Sequence, residues 1–540
     1  MTNYESHPAR SVALWQWVAE TVVIFLLVLI MMTQAIRTIP MVWDEGATVE
    51  RIDRIEQGLL QYQLGQISFA QFTDTYWRFS RAEPDGHSPF YALLSMAGEA
   101  LTKDILPPPA SYRFGGATLF ALAIATVYGT LRTRWSFAST LVTTILLSST
   151  PRVIPEVSFA LTDGPLFSLS LIGWSLFLRI VDRRSLLVTI AFGIVMGLAM
   201  GTKLTGWFLS IPYIVWLFTE WNAPHFRALL VRGIVAAIVS LVVVFIINVG
   251  WWPDPMKGVT GYFHSNLTRE ETIPIPILFG GVRYEFSLPW YNTLVWSVIA
   301  MPLGILLLGG TGLLLSFRQF RSSWFARLLL LNWLILIIVR SLPQAPGHDG
   351  TRQIIISFGF LTLLAGWMLE QIRLMPMRSK WNVVASIVIG IAAAAESVGS
   401  VLSYHPLELS YYSPIVGGLP GAEKRGFEPT YFWDSMTPEV FDWLNQHTSP
   451  GRSILFRNNT ITLRYLEKWG LLNHPTDPRR FPPQWFVIQH RPGLYAESDR
   501  RLLAKKPAFE KSLYGVPLLS IYPIEEWQQT MKEAPPEKSP

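Results

Sequence analysis

The fold is decided by a stretch near the N-terminus. Residues 15–46 read WQWVAETVVIFLLVLIMMTQAIRTIPMVWDEG. The first 22 of these residues are mostly apolar, which is the length that one transmembrane helix requires. Only Arg10 provides a basic residue before the segment and no convincing small-residue cleavage site follows it, so it is expected to remain as an uncleaved helix. Two acids, Asp44 and Glu45, follow within a few residues of its end. The stretch therefore predicts a membrane helix that delivers two carboxylates to a membrane surface.

Ten further apolar segments follow within the first 400 residues. The eleven predicted spans are 15–36, 114–131, 135–150, 165–181, 185–201, 207–219, 233–250, 291–316, 324–340, 353–369 and 382–402. Of the 540 residues, 50% are hydrophobic, 15% are charged and none is Cys, which excludes a disordered chain, a disulfide scaffold and thiol chemistry. We therefore predict an all-α polytopic membrane bundle of about 11 transmembrane helices over residues 1–402.

The basic residues predict which way this bundle faces. One alternate set of connections holds 14 Lys and Arg residues, whereas the short loops of the other set hold seven. Because cytoplasmic loops carry the excess, the N-terminus is expected in the cytoplasm and the chain after the last span outside the plasma membrane. The net charge of +6 follows from this bias and does not indicate nucleic-acid binding.

The last 140 residues differ in composition from the rest. They carry 31 of the 82 charged side chains, nearly balanced in sign, which predicts a small soluble α/β domain over residues 403–540. Helices are predicted over 436–450, 460–471 and 497–506, and strands over 454–456, 485–489 and 516–522. The Pro-, Glu- and Lys-rich end is expected to be frayed. Acceptor recognition and a packing cap over the bundle are equally compatible roles for this domain.

The first predicted outside loop, residues 37–113, is long and amphipathic. Apolar residues recur at helical spacing over 49–59 and 69–79, which predicts two helices lying on the membrane surface, either as a roof or as a frame for a pocket. Asp44 and Glu45 stand just before the first of them, where acidic side chains serve as helix caps. The alternative is that one carboxylate accepts a proton from an attacking hydroxyl.

Further polar residues stand at the outer ends of later spans. They are His87 in Asp85-Gly86-His87-Ser88-Pro89, Asp163 in Leu161-Thr162-Asp163-Gly164-Pro165, Lys203 in Gly201-Thr202-Lys203-Leu204-Thr205, Tyr284 in Gly281-Val282-Arg283-Tyr284, and His348, Asp349 and Arg352 in Gly347-His348-Asp349-Gly350-Thr351-Arg352. Ordinary explanations stay open for each: a loop histidine, a helix cap, a snorkelling lysine, an interfacial tyrosine, and an arginine paired with a neighbouring acid or a lipid headgroup.

These motifs, in this order, resemble those of the dolichyl-phosphate-mannose protein mannosyltransferases and their bacterial relatives, GT-C glycosyltransferases that include the aminoarabinose transferases. The acid pair resembles the signature of their first outside loop, and residues 347–352 resemble the His-Asp-Gly-x-Arg segment of bacterial members. Ser88 stands where the family usually has Pro. The likeness runs from residue 43 to about residue 435, so the last hundred residues lie outside it.

The resemblance implies a GT-C-like fold and the transfer of a hexose or pentose from a polyprenyl-monophosphate donor to a protein, lipid or glycan outside the membrane, with inversion. It implies that Asp44 is the general base, with Glu45 orienting it or binding sugar hydroxyls. A guanidinium binds phosphate oxygens in bidentate fashion, which makes Arg352 the preferred phosphate ligand, with Lys203 and His348 as candidates to assist it. The residues expected to bind substrate are His87, Asp163, Lys203, Tyr284, His348, Asp349 and Arg352.

The expected partners are the donor lipid, an acceptor and the membrane lipids, without nucleic acid. No cofactor is required, because the lipid brings the activated sugar, but Asp44 and Glu45 leave a divalent metal open. Two other functions also stay open. A transporter or flippase for lipid-linked sugars usually places ionisable residues near the membrane midplane, and a non-catalytic protein would bind the lipid-linked sugar without transferring it.

Overall fold

The fold is described by a computed structural model that covers residues 12–80, 83, 85–183, 185–268, 275–375, 379–458 and 460–533. Three of the basic residues behind the predicted orientation lie outside these ranges: Arg10, Arg184 and Arg378. The end of the chain that was expected to be frayed, residues 534–540, also lies outside the described residues.

Helices occur at all eleven positions predicted to span the membrane. In chain order the helices up to residue 404 are α1 (Leu14–Thr38), α2 (Glu45–Gln63), α3 (Phe69–Gln71), α4 (Phe90–Thr102), α5 (Ala110–Arg132), α6 (Phe137–Ser148), α7 (Val153–Ser158), α8 (Asp163–Arg183), α9 (Leu186–Met200), α10 (Thr205–Phe208), α11 (Ile211–Thr219), α12 (Phe226–Ile247), α13 (Pro255–Leu267), α14 (Asn292–Ile299), α15 (Leu303–Arg318), α16 (Trp324–Val339), α17 (Ile355–Leu374) and α18 (Ser379–Tyr404). A short antiparallel hairpin, β1 (Ile277–Phe279) and β2 (Val282–Tyr284), precedes α14. Within the described ranges six helices are long and apolar enough to cross a bilayer, and five more apolar helices are shorter.

The eighth predicted span is interrupted in the structure. α14 and α15 are separated at Pro302, which lacks the amide hydrogen that a continuous helix needs. Glu396 in α18 accepts hydrogen bonds from the amides of Leu303 and Gly304 at 3.0 and 3.1 Å. This carboxylate within the membrane region therefore accepts hydrogen bonds from backbone amides at the start of α15 that have no partner within the helix.

The loop over residues 37–113, predicted to lie outside, contains more helix than the sequence pattern predicts. Its first predicted helix is α2, but the second is reduced to α3 and a π-helical segment, Phe72–Tyr76. α4 lies along α5 and was not predicted. The reason is that the buried face of α4 includes Ser95, Gly98 and Thr102, which do not form an apolar stripe in the sequence.

The chain after α18 runs over one end of the bundle and then forms a separate sheet. The remaining elements are α19 (Gly418–Lys424), α20 (Pro438–His447), β3 (Ser453–Phe456), α21 (Ile461–Lys468), β4 (Pro483–Gln489), α22 (Glu497–Leu503), β5 (Phe509–Leu513), β6 (Val516–Pro523) and α23 (Ile524–Glu533). The sheet order is β3-β4-β6-β5, with β3 and β4 parallel and the other pairs antiparallel. All six elements predicted for the tail are present. α19, β5 and α23 are additional, and β5 escapes prediction because it is an edge strand with exposed polar residues such as Glu510 and Ser512.

The C-terminal sheet domain contacts the first outside loop at the acid pair. Thr462, in α21, donates a hydrogen bond from its hydroxyl to the carbonyl of Trp43 at 2.6 Å and accepts one from the amide of Gly46 at 3.1 Å. A Cβ atom on Gly46 would overlap the backbone of Thr462, so this close approach requires glycine. The end of the chain is thereby packed beside Asp44 and Glu45.

Candidate active site

Asp44 stands directly before α2 without capping it. No amide in the described first turn of the helix binds its side chain, so helix capping does not explain this acid. The side chain is 41% exposed, whereas the other acids of the same cluster, Asp163 and Asp349, are less than one tenth exposed. Asp44 is therefore the acid of this cluster that a bound molecule can reach.

Arg352 joins the three acids. Its guanidinium donates to Asp163 at 2.7 Å, to Asp44 at 3.0 Å and to Asp349 at 3.1 Å. The face of the guanidinium lies 4.4 Å from the ring centre of Phe432. One cation is thus shared by carboxylates from three separate parts of the chain, which holds its planar group in one orientation.

Lys203 lies behind this arrangement. Its ammonium donates to both oxygens of Asp163, at 2.9 and 3.2 Å, and the side chain is about nine-tenths buried. Burial lowers the pKa of Lys203 to about 8, although the neighbouring Asp163 opposes that change. The lysine therefore pairs with an acid instead of snorkelling to the membrane surface.

Asp349 occupies a strained turn at the start of the segment that carries Arg352. Its φ is +63° and that of Gly350 is +57°, the left-handed region that asparagine, aspartate and glycine tolerate best. Burial alone would raise the pKa of Asp349, but His348, Arg491 and Arg352 outweigh burial and keep the pKa below its ordinary value. Asp349 is therefore held as a buried, ionised carboxylate.

Glu45 has a different environment from its neighbour Asp44. It is fully buried and forms two hydrogen bonds with Arg113, at 2.7 and 2.6 Å. The amides of Val42 and Ala160 also donate to it, at 3.1 and 3.0 Å. Glu45 therefore fixes the loop that carries Asp44, and its carboxylate does not line the cavity beside that residue.

A cavity of about 420 Å³ opens beside Asp44 and Arg352. Its polar lining includes His87, His348 and Asp349, and its aromatic lining consists of Trp43, Phe79, Tyr91, Phe432 and Trp433. Asn458 and Leu494 of the C-terminal domain complete one wall. The cavity thus combines a cation, an accessible carboxylate and aromatic faces, and residues from both ends of the chain enclose it.

The predicted site residues fall into three groups. Asp44, His87, His348, Asp349 and Arg352 line the cavity. Asp163 and Lys203 form the layer behind Arg352. Two residues are elsewhere: Glu45 is held by Arg113, and Tyr284 lies in β2, where its ring is 6.5 Å from that of Phe279.

Sequence reasoning missed several charged residues that organise the site. Arg113 is fully buried in the first turn of α5, and Arg491 is buried in the C-terminal domain. Glu156 in α7 is also buried, and burial raises its pKa to about 8 although Arg352 opposes that change. These residues could have been found from the sequence, because each is a charged residue within an apolar segment or a short loop. Such a residue needs a partner of opposite charge.

Comparisons with known proteins show which family profile and which solved structures this chain resembles. The sequence profile of the dolichyl-phosphate-mannose-protein mannosyltransferase family matches residues 103–253. That match includes Asp163 and Lys203 but not Asp44 or Arg352. A search of curated protein sequences finds no match. The resemblance to this family that the motifs indicate is confirmed.

Solved structures of ArnT from Cupriavidus metallidurans share the fold. The apo structure aligns with a TM-score of 0.52 over 94% of this chain and 97% of that chain, and the structure bound to undecaprenyl phosphate aligns with a TM-score of 0.50 over 94% and 98%, each at 15% identity. AglB from Archaeoglobus fulgidus, in complex with an inhibitory peptide and a dolichol-phosphate, aligns at 0.47 with 12% identity over 88% of this chain and 70% of that chain, too weakly to define a fold. The predicted GT-C-like membrane bundle with a small C-terminal sheet region is therefore confirmed, and the protein is a multi-pass membrane protein.

Proposed function

We propose that the protein is a membrane glycosyltransferase that moves a sugar from a polyprenyl-monophosphate donor to an acceptor outside the plasma membrane. The observation that carries the proposal is the accessible carboxylate of Asp44, 3.0 Å from the guanidinium of Arg352 at the wall of a cavity. A transfer of this kind needs a base and a phosphate ligand in one cavity, because the acceptor hydroxyl attacks the carbon that bears the leaving phosphate, on the face opposite that phosphate. The family match and the ArnT structure with undecaprenyl phosphate support a lipid phosphate as the donor.

The contacts of Arg352 suggest how the donor and the base are coupled. Without substrate, Asp44 is one of three carboxylates on the guanidinium. The phosphate of the donor, a diester with one negative charge and two free oxygens, suits bidentate binding by the guanidinium and would displace Asp44 from Arg352. Asp44 would then be available to take the proton of the acceptor hydroxyl. Phosphate binding would in this way prepare the base for its task.

The remaining groups of the cluster would hold Arg352 in place during this exchange. Asp163 keeps its contact with the guanidinium and is itself held by Lys203. Lys203 therefore acts on the phosphate through Asp163 and Arg352, instead of touching it. As the bond between sugar and phosphate breaks, the guanidinium faces the developing charge on the leaving phosphate oxygen. Attack from the opposite side of the sugar would invert the anomeric centre.

The location of the charges favours an enzyme over a transporter. Within the described residues, Glu20 in α1 is paired with Arg132 at 2.8 Å and accepts a hydrogen bond from Tyr128, and Glu396 caps α15. These two carboxylates of the membrane helices therefore have structural partners. The charges that line the cavity beside Asp44 lie where the loops and the C-terminal domain meet the bundle.

Replacement of Asp44 by Asn tests the proposal. Cells that lack the protein are complemented with the wild-type chain, with Asp44→Asn, or with Asp74→Asn as a matched control, and envelope glycans, lipids and proteins are compared by mass spectrometry. Asp74 lies in the same outside loop, and its ion pair with Arg78 is exposed, so its loss should have little effect. We expect one sugar modification to depend on the wild-type chain, to survive Asp74→Asn and to disappear with Asp44→Asn at equal protein abundance.

Other results would contradict the proposal. A modification that persists with Asp44→Asn would exclude Asp44 as the base. If no modification depends on the protein, but purified protein moves a lipid-linked sugar across vesicle membranes, the transporter function would replace the enzyme. Donor binding with no transfer to any acceptor would favour the binding protein.

A further inference from the structure

Arg491 connects the C-terminal domain to the cluster around Arg352. It is separated from the end of β4 by one residue and directly precedes the 3-10 turn Pro492–Leu494, and its side chain is 1% exposed. A buried arginine must be compensated by acids or carbonyls, because an uncompensated charge in the protein interior is very costly. Its partners therefore identify what this buried side chain stabilises.

Four groups surround the guanidinium of Arg491. One nitrogen donates to Asp349 at 3.3 Å and to the carbonyl of Tyr431 at 2.7 Å. The Nε atom lies 3.3 Å from a carboxylate oxygen of Glu428, and the guanidinium lies 4.5 Å from the ring centre of Trp433. Trp433 adopts a φ of +55°, unusual for a bulky residue, and its ring lines the cavity.

Asp349 is shared between two arginines. One of its oxygens faces Arg491, and the other accepts from Arg352 at 3.1 Å. Burial raises the pKa of Glu428 to about 7, although Arg491 opposes that change, so Glu428 is only partly ionised near neutral pH. Asp349, whose pKa is held low, is then the fully ionised partner of Arg491.

We infer that Arg491 is a positioning residue, which balances the charge of Asp349 so that Arg352 stays available for a phosphate of the donor lipid. The inference rests on the proposed function, because it assigns Arg352 to that phosphate. Without Arg491, a larger share of the charge of Asp349 would fall on Arg352, although His348 and Lys203 nearby would offset part of it. The site would also lose one positive charge. Both changes weaken the binding of an anion.

The expected consequence is a coupling between the C-terminal domain and the phosphate site. Arg491 lies outside the family match, which covers residues 103–253, and outside the motif resemblance, which extends to about residue 435. The C-terminal domain would therefore contribute to donor binding as well as to the wall of the cavity. Arg491 does not itself line the cavity, so its influence must pass through Asp349 and Trp433.

The test measures binding of undecaprenyl phosphate to the full chain purified in detergent. We expect Arg491→Ala to weaken this binding about tenfold, the usual size of coupling within one buried network, and Arg491→Lys to recover part of it. Leu502→Ala is the matched control: it removes a fully buried side chain from the core of the same domain at a position outside the cavity lining, and should leave the affinity unchanged.

The outcomes separate this inference from the proposed function. Equal affinity of the wild type and Arg491→Ala overturns the inference, whatever their transfer rates are. An equal loss of affinity in Leu502→Ala also overturns it, because the effect would then be general damage to the domain. Asp44→Asn, measured in parallel, should retain undecaprenyl phosphate binding; its transfer rate tests the proposed function separately.

Discussion

Two adjacent acids, Asp44 and Glu45, occupy opposite kinds of environment. Glu45 and its partner Arg113 are both completely buried, and four hydrogen bonds satisfy the carboxylate. Asp44 shares Arg352 with two other acids and faces a cavity. In the closed pair, Glu45 and Arg113, every hydrogen bond of the carboxylate is made to a protein group. In the open cluster, Asp44, Asp163, Asp349 and Arg352, the arginine faces a cavity and its partners can be exchanged. Residue type alone does not distinguish a structural ion pair from a substrate-binding site. The distinction depends on how exposed the acid is and on how many other acids bind the same arginine.

The largest expected effect concerns the open cluster. Arg352→Lys keeps a positive charge but loses the planar fork that serves several carboxylates at once. We expect sugar transfer to fall roughly 100-fold to 1,000-fold, the usual cost of removing one preorganised group that stabilises developing charge. The measurement is the initial transfer rate with purified protein in vesicles. A rate near that of the wild type would show that a point charge is sufficient at this position.

The closed pair should show the reverse behaviour. Glu45→Gln leaves the buried charge of Arg113 without its acid, and removing one partner of a buried pair costs about 3–5 kcal/mol of unfolding free energy. We expect a lower thermal unfolding midpoint in detergent, with the transfer rate per folded molecule largely retained. If Glu45→Gln unfolds like the wild type but transfers no sugar, Glu45 belongs to the chemistry after all.

A third acid sharpens the comparison through its pH dependence. Glu156 is 2% exposed, and burial raises its pKa to about 8 from an ordinary value of 4.5, although Arg352 opposes that change. As the pH rises, Glu156 therefore ionises in the unfolded chain before it ionises in the folded protein. The contribution of its neutral form to the free energy of unfolding is fully present below pH 4.5 and is lost as the pH approaches 8. Glu156→Gln should remove this loss, gaining roughly 1 kcal/mol or more at pH 8.

The check for Glu156 is the thermal unfolding midpoint of both proteins between pH 5 and pH 8, a window that lies inside the range from 4.5 to about 8. The difference between the variant and the wild type should grow with pH. Parallel curves would mean that Glu156 does not titrate in this range.

The smallest expected effect is that of removing divalent metal. Arg352 already places a positive charge beside the expected phosphate, so a chelator should leave the transfer rate unchanged. The measurement is the transfer rate before and after treatment with EDTA. A loss that Mg²⁺ restores would show that a metal ion is needed together with the guanidinium.

The parts of the fold that sequence predicts are those with a strong local pattern. Apolar runs of bilayer length mark the membrane helices, and short alternating segments mark most of the C-terminal sheet domain. The carboxylate that accepts the hydrogen bonds of the amides after Pro302 belongs to Glu396, some ninety residues away along the chain, and no local pattern indicates that contact. α4 and β5 lack a clear apolar pattern, since one buries small and polar residues and the other is an edge strand.

The site follows the same rule. Acids at the ends of spans indicate Asp44, Asp163 and Asp349 as candidates, but their convergence on Arg352 depends on packing among loops that are distant in sequence. The tertiary structure also determines whether the carboxylate of an acid is fully hydrogen-bonded by protein groups or is exposed to a bound molecule. Glu45 and Asp44 are neighbours in the chain, and only the position of Arg113 separates their environments.

The contact between Gly46 and Thr462 has a consequence for biosynthesis. Thr462 and Arg491 lie in the last quarter of the chain, so they are translated after every membrane helix. A nascent chain that has inserted all its helices still lacks the residues that pack against the acid pair and balance Asp349. The cavity is therefore completed only when the last-made domain has folded and docked.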